Sequence, residues 1–211
     1  MSQKIILLLA FGLASQLVQA GMITTSFGGG NGNVEGGAVF FDLNVLAGAG
    51  ITVTSLSVNA TTGGGGSITG RSIRVDIYTR TGTASGNETS SAGWTLVSSG
   101  TGTAAAIHTP SPIDVSDLYL AAGVSGIAIH NVDFAQSYTN GSAAFSNADL
   151  AFTPVSAQLS LFAPNVNSPR QWNGTVTYDL GSTATAVPEP GTLGLSLLFL
   201  GACAAIRRRK K

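Results

Sequence analysis

The chain has 211 residues, of which 9% are charged, and its formal net charge is zero. That neutrality comes from the two ends: Gly21–Val187 holds four arginines, no lysine and nine carboxylates, a net −5. A sparse, acidic surface of Thr, Ser, Asn and Gly excludes nucleic acid, which needs clustered cations, and it excludes docking on anionic lipid.

The N-terminus opens Met1-Ser2-Gln3-Lys4, followed by an apolar run from Ile5 to Leu13 and then Val18-Gln19-Ala20. One cation, a short apolar stretch and small residues at the positions a signal peptidase reads predict a secretory signal peptide over 1–20. Its cleavage falls between Ala20 and Gly21. The 167 residues from Gly21 to Val187 suit a single domain with its own core. The first of them, Gly21–Glu35, are polar and rich in glycine and predict a flexible lead-in.

Strands follow, read from alternation. Val39, Phe41, Leu43 and Val45 share one face, with Ala38, Phe40, Asp42 and Asn44 on the other. Ile51 and Val53 alternate, and Leu56 and Val58 resume one register later, which predicts a bulge or edge twist near Ser55. Thr61–Gly70 is a long loop. Ile73, Val75 and Ile77 alternate with Arg74, Asp76 and Tyr78, the clearest strand signal in the chain. Another loop spans Thr81–Gly93, and Trp94, Leu96 and Val97 begin the next strand. Further strands are predicted around Leu118–Leu120, Ile127–Ile129, Asp149–Thr153, Gln158–Phe162 and Trp172–Leu180. No window of a dozen residues in Gly21–Val187 carries a 3.6 period. The fold class expected is all-β: one β-sandwich, jelly-roll-like or Ig-like, over 21–180.

Residues 181–187 form a flexible linker to a tripartite terminus. Pro188 and Pro190 hold the stretch around Glu189 extended. An apolar segment, 192–206, reads as a transmembrane helix. Its fourteen uncharged residues from Leu193 to Ile206 rise about 21 Å, against a hydrocarbon core of roughly 30 Å, so the anchor is marginal and suits temporary use. Arg207, Arg208, Arg209, Lys210 and Lys211 act as cytoplasmic stop-transfer cations and leave the preceding domain outside.

Val187-Pro188-Glu189-Pro190, the short apolar segment and the Arg-rich end resemble the PEP-CTERM sorting signal of exported bacterial proteins. The resemblance covers Val187–Lys211 and implies recognition by exosortase, a membrane-embedded protease-like enzyme. It further implies a Gram-negative, exopolysaccharide-making host and processing near Pro188, Glu189 and Pro190. It implies nothing about the domain ahead. Phrases such as Gly93-Trp94-Thr95-Leu96-Val97, Ser146-Asn147-Ala148-Asp149-Leu150 and Ser168-Pro169-Arg170-Gln171-Trp172-Asn173-Gly174-Thr175 are similar to a recurrent extracellular β-module of such proteins. That similarity spans Phe40–Tyr178 and supplies no active-site residues.

Catalytic chemistry has little to work with. No GxSxG elbow occurs, the single cysteine is Cys203 in the apolar tail, and His108 and His130 are the only histidines. The domain's only glutamates, Glu35 and Glu88, lie in loops, which argues against a glycosidase pair. No cofactor is expected. Calcium is the one metal considered, from Asp114, Asp117, Asp133, Asp149, Asn131 and Asn147, although no DxDxDG loop is present. The sequons at Asn59, Asn87, Asn140 and Asn173 are expected at exposed turns. The leading expectation is a non-enzymatic envelope or exopolysaccharide-matrix protein, with signal peptidase and exosortase as partners and the membrane as a transient one. The alternative is a tethered carbohydrate-binding module. Trp94 and Trp172 are expected in the core, which leaves Tyr78, beside Arg74, Asp76 and Arg80, as the glycan contact.

Overall fold

Alternating apolar residues build most of the long strands of this molecule, and the computed structural model describes residues 20–181 apart from Gly30 and Gly64. The signal peptide up to Gln19, the linker after Gly181, Pro188–Pro190, the apolar segment and the basic tail lie outside the described residues. The strands are β1 (Ala20–Thr24), β2 (Asn31–Gly32), β3 (Ala38–Val45), β4 (Ile51–Val58), β5 (Ala60–Thr61), β6 (Ser72–Thr81) and β7 (Thr95–Thr103). They continue with β8 (Ser111–Leu120), β9 (Gly123–Asn131), β10 (Ala135–Asn140), β11 (Phe145–Ser146), β12 (Leu150–Gln158), β13 (Asn167–Trp172) and β14 (Gly174–Leu180). No helix occurs among the described residues. The protein is all-β.

Hydrogen bonding joins the strands into one sheet in the order β1-β14-β4-β8-β7-β6-β9-β3-β12-β13-β10-β2, with β11 on β12 and β5 on β10. Every strand pair is antiparallel. The sheet curls, so strands distant in this order face one another. Phe41, Ile77, Ile127 and Ile129 from β3, β6 and β9 meet Val53, Leu56, Leu120 and Val176 from β4, β8 and β14 around one apolar gap. Trp172 stacks on Phe41 at 5.0 Å between ring centroids and 16° between planes. Removing this apolar surface from water is the main force that holds the curl closed.

The curl turns a corner between β7 and β8, which share only three paired positions. Gly100 and Gly102 make the corner possible. A Cβ on Gly102 would stand 2.0 Å from the Pro112 carbonyl oxygen, and one on Gly100 2.4 Å from that of Asp114. Next to this corner β8 breaks its register with β4: Asp114 opposes Ser55 and Leu118 opposes Val53, so Val115–Asp117 bulge against Thr54 alone. The register change predicted near Ser55 is therefore present, and it is deeper on the partner strand than on β4 itself. Pro154, inside β12, also sits at a register shift, where its missing N–H is tolerated.

Several expectations need correction. Gly21–Glu35 is not a flexible lead-in. Its residues supply β1 and β2, Ile23 is buried in the core, and Asn33 is buried with its amide bonded to Asn131 Oδ1 and its Oδ1 accepting from Gln136 N. The strand expected near Gln158–Phe162 ends at Gln158, and Phe162 has φ of +58° in the turn that follows. Its apolar residues pack on the outside of the sheet instead. β10 had no alternation to reveal it, because Ala135–Tyr138 is buried on both faces.

Candidate functional site

β6 points Ile73, Val75 and Ile77 into the core and presents Arg74, Asp76, Tyr78 and Arg80 on the outer face. Register then decides which outer residues meet. Arg74 lies opposite Thr101, which lies opposite Asp114; Asp76 lies between Ser99 on β7 and His130 on β9. The result is a polar crossing of four strands that no stretch of sequence contains.

Asp76 is its hub. Its Oδ1 accepts from Arg74 Nη2 at 2.9 Å and from Ser99 Oγ at 2.7 Å, and its Oδ2 accepts from the same guanidinium nitrogen at 3.2 Å. Burial by itself would raise the Asp76 carboxyl, but the hydrogen bonds from Ser99 and Arg74, with the Arg74 charge, outweigh it and hold the group below its ordinary range. His130 Nδ1 stands 3.8 Å from Asp76 Oδ2. Burial pushes the imidazole below its ordinary value; the Asp76 carboxylate pulls it back, and Arg74 adds to the depression. At neutral pH the cluster is a bound Arg–Asp pair beside a neutral histidine.

Beside this hub a groove of about 320 Å³ opens, lined by Arg74, Ser99, Gly100, Thr101, Asp114, Val115 and Ser116. It exists because β7 and β8 part after the Gly100–Val115 pair, leaving Ser116 and Asp117 of the bulge without a ladder partner. Ser98 Oγ reaches across to the Ser116 carbonyl at 2.7 Å and fixes the depth of the split.

Tyr78 is half-buried, and its ring meets Phe162 edge-on at 5.6 Å and 85°. It belongs to an outer apolar cluster of Phe40, Trp94 and Phe162, where Arg80 sits 5.8 Å over the Trp94 ring. Trp172 is in the core as expected, while Trp94 is half-buried on the outer side with Nε1 donating to the Asn87 carbonyl. Ala20 and Gly21 open β1, and a Cβ on Gly21 would lie 2.6 Å from the Tyr178 ring. His108 holds φ of +65° in a loop and donates its backbone N–H to Asn59.

The calcium candidates do not converge: among the described residues no three His, Cys, Asp or Glu side chains form a group that could hold a metal. Asp133 accepts from the Arg74 backbone N–H, and Asp149 accepts from the Tyr178 hydroxyl. Burial raises that phenol; Asn147 opposes the rise and the Asp149 carboxylate adds to it. Glu35 pairs with Arg71 at 3.5 Å, whereas Glu88 is buried against Ser156. Two sequons were misplaced. Asn59 and Asn173 are fully buried and clamp the Phe27 and Gly28 carbonyls, so they satisfy loop backbone rather than mark exposed turns.

The sequence named Arg74, Asp76 and Tyr78 but missed Ser99, Thr101 and Ser116 as groove residues. Serine and threonine are too common here for any one to stand out before register is known. No family model matches the chain, nor does any curated protein or solved structure.

Proposed function

We propose that this chain is an exported cell-envelope or exopolysaccharide-matrix protein with a structural role and no catalytic activity of its own. Signal peptidase removes Met1–Ala20; the C-terminal segment, 192–206, holds the protein briefly in the membrane. Exosortase then processes it near Pro188, Glu189 and Pro190 and leaves the domain on the surface or in the matrix. In this reading the two halves of the curled sheet are the layers of a jelly-roll-like or Ig-like sandwich.

The observation that supports the reading is the pairing of Gly21, the first residue left after that cleavage, with Tyr178. The first and last strands lie side by side, so the chain enters and leaves the domain at one end. The expected processing points are close to that end along the chain: Gly21 is in β1, and Pro188 comes nine residues after Asp179 of β14. Nine residues reach at most about 32 Å. A domain tethered there holds its opposite end away from the membrane.

The test is the mass of both termini of the protein recovered from cells with and without an exosortase. The expected result is an N-terminus at Gly21 and an exosortase-dependent C-terminus near Pro188–Pro190. Retention of Lys211 in both strains would overturn the sorting reading and make the segment a permanent anchor.

A further inference from the structure

We infer that the split between β7 and β8 is a binding groove for a neutral saccharide, with Arg74, Thr101, Asp114 and Ser116 as its contacts. The inference goes beyond the sorting reading and stands without it, since it rests on described residues alone. It also moves the carbohydrate-binding alternative away from Tyr78, whose ring is occupied by Phe162.

The groove's size and lining restrict the ligand. At about 320 Å³ it lies at the small end of ligand clefts. Apart from the stem of Val115, the lining is polar: a guanidinium, a carboxylate, three hydroxyl-bearing side chains and a glycine. An anion is disfavoured, because the Arg74 charge is already bound by Asp76 at 2.9 Å and Asp114 adds a second carboxylate. The local formal charge with His130 neutral is therefore −1. A divalent cation is disfavoured too. Calcium takes six to eight oxygens, and Asp114 is the only carboxylate in the lining besides the arginine that would repel the ion.

A neutral polyol is what remains, and the chemistry suits it. Vicinal hydroxyls each donate and accept, so they need both kinds of partner within a few ångströms. Arg74 donates and Asp114 accepts. Thr101 and Ser116 do either, and Ser99, whose proton is committed to Asp76, accepts. Asp114, Thr101 and Ser116 are exposed, and their side chains bond to nothing else among the described residues, so no internal bond is broken to receive a ligand. No aromatic ring lines the groove, so binding to one site is weak, with dissociation constants in the millimolar range.

The experiment is a calorimetric titration of the full chain in a detergent without a sugar headgroup, since maltosides and glucosides would compete. The probes are cellotetraose, xylotetraose, mannotetraose and chitotetraose, with tetragalacturonate as the anionic contrast. At least one neutral tetrasaccharide binds. Asp114→Ala weakens it about tenfold, as expected for loss of a charged hydrogen bond. Ser116→Trp fills the groove and abolishes binding, while Tyr78→Ala changes it by less than about twofold, within the scatter of an uninvolved site. Circular dichroism melts of Asp114→Ala and Ser116→Trp that match the parent show that the fold survives. Four outcomes would each overturn the inference: no neutral oligosaccharide binds; only tetragalacturonate binds; binding survives Ser116→Trp; or binding is lost on Tyr78→Ala and retained in Asp114→Ala.

Discussion

The outer face of this sheet has two halves treated in opposite ways. Over β3 and β12, the loops 82–94 and 159–166 fold back, and the outward residues Ala38, Phe40 and Val155 are buried beneath Trp94 and Phe162. Over β7 and β8 no described loop folds back, and the outward residues are Ser99, Thr101, Asp114 and Ser116. The same pleat and the same alternation thus give a second small core in one place and a polar groove in another. What differs is the loop that returns across the strands. A contiguous group of outward apolar residues needs a cover, whereas single ones such as Leu96 on β7 stay exposed.

The largest loss of stability comes from the inside of the curl. Trp172→Ala removes a ring stacked on Phe41, tilted against Phe152 and only 1% exposed. A loss of about 3–5 kcal/mol is expected, read as the shift of the urea midpoint. Gly102→Ala comes next. Its new Cβ meets backbone rather than a flexible side chain, so the corner between β7 and β8 must shift, at a cost of about 1–3 kcal/mol. The same variant displaces the groove wall, so saccharide binding falls with stability. A Gly102→Ala protein with unchanged midpoint would show that the corner relaxes freely.

The covered half responds to Trp94→Ala. The side chain is half-buried and meets Phe40 at 5.6 Å, so about 1–2 kcal/mol is expected. A loss as large as that of Trp172→Ala would mean that the outer cluster is part of the main core rather than a satellite.

The smallest effect is one of pH. His130 is held below its ordinary value of 6.5 in the folded protein, so the unfolded chain binds its proton first as pH falls. Stability from this residue is complete above pH 6.5 and declines below it, down to the lower folded value. Asp76 contributes in a separate window: its stabilisation is present above its ordinary 3.8 and is lost as pH falls through its lower folded value. Midpoints measured from pH 8 to 5 should therefore sag below about 6.5 in the parent and stay flat in His130→Gln. An equal sag in both proteins would place the titration elsewhere.

The strand β6 was legible from its residues because both of its faces follow the period of the pleat. The bulge near Ser55 was legible for the same reason: Leu56 and Val58 carry the apolar face one residue out of step. β1 was not, because Gly21–Thr24 has one buried apolar residue, Ile23, and owes its strand to β14 at the far end of the chain. The extent of β12 was hidden by Pro154, which ordinarily argues against a strand and here occupies a register shift. Of the groove, Arg74 stood out by its charge in a nearly uncharged domain. Asp114 stood out too, as a calcium candidate, but Ser99, Thr101 and Ser116 did not, being ordinary polar residues on strands 25 to 42 positions later.

By itself the sequence determined the all-β class, the inward faces of β3, β4 and β6 and the expectation of sorting segments at both ends. Those follow from local period, local charge and local apolar runs, which one stretch of chain contains. Only the tertiary structure decided that Ala20 pairs with Asp179, that β7 parts from β8, and that Asp76 gathers Arg74, Ser99 and His130. Each depends on the register between strands far apart in sequence, and register is fixed when the curl closes and every inward side chain must find room at once.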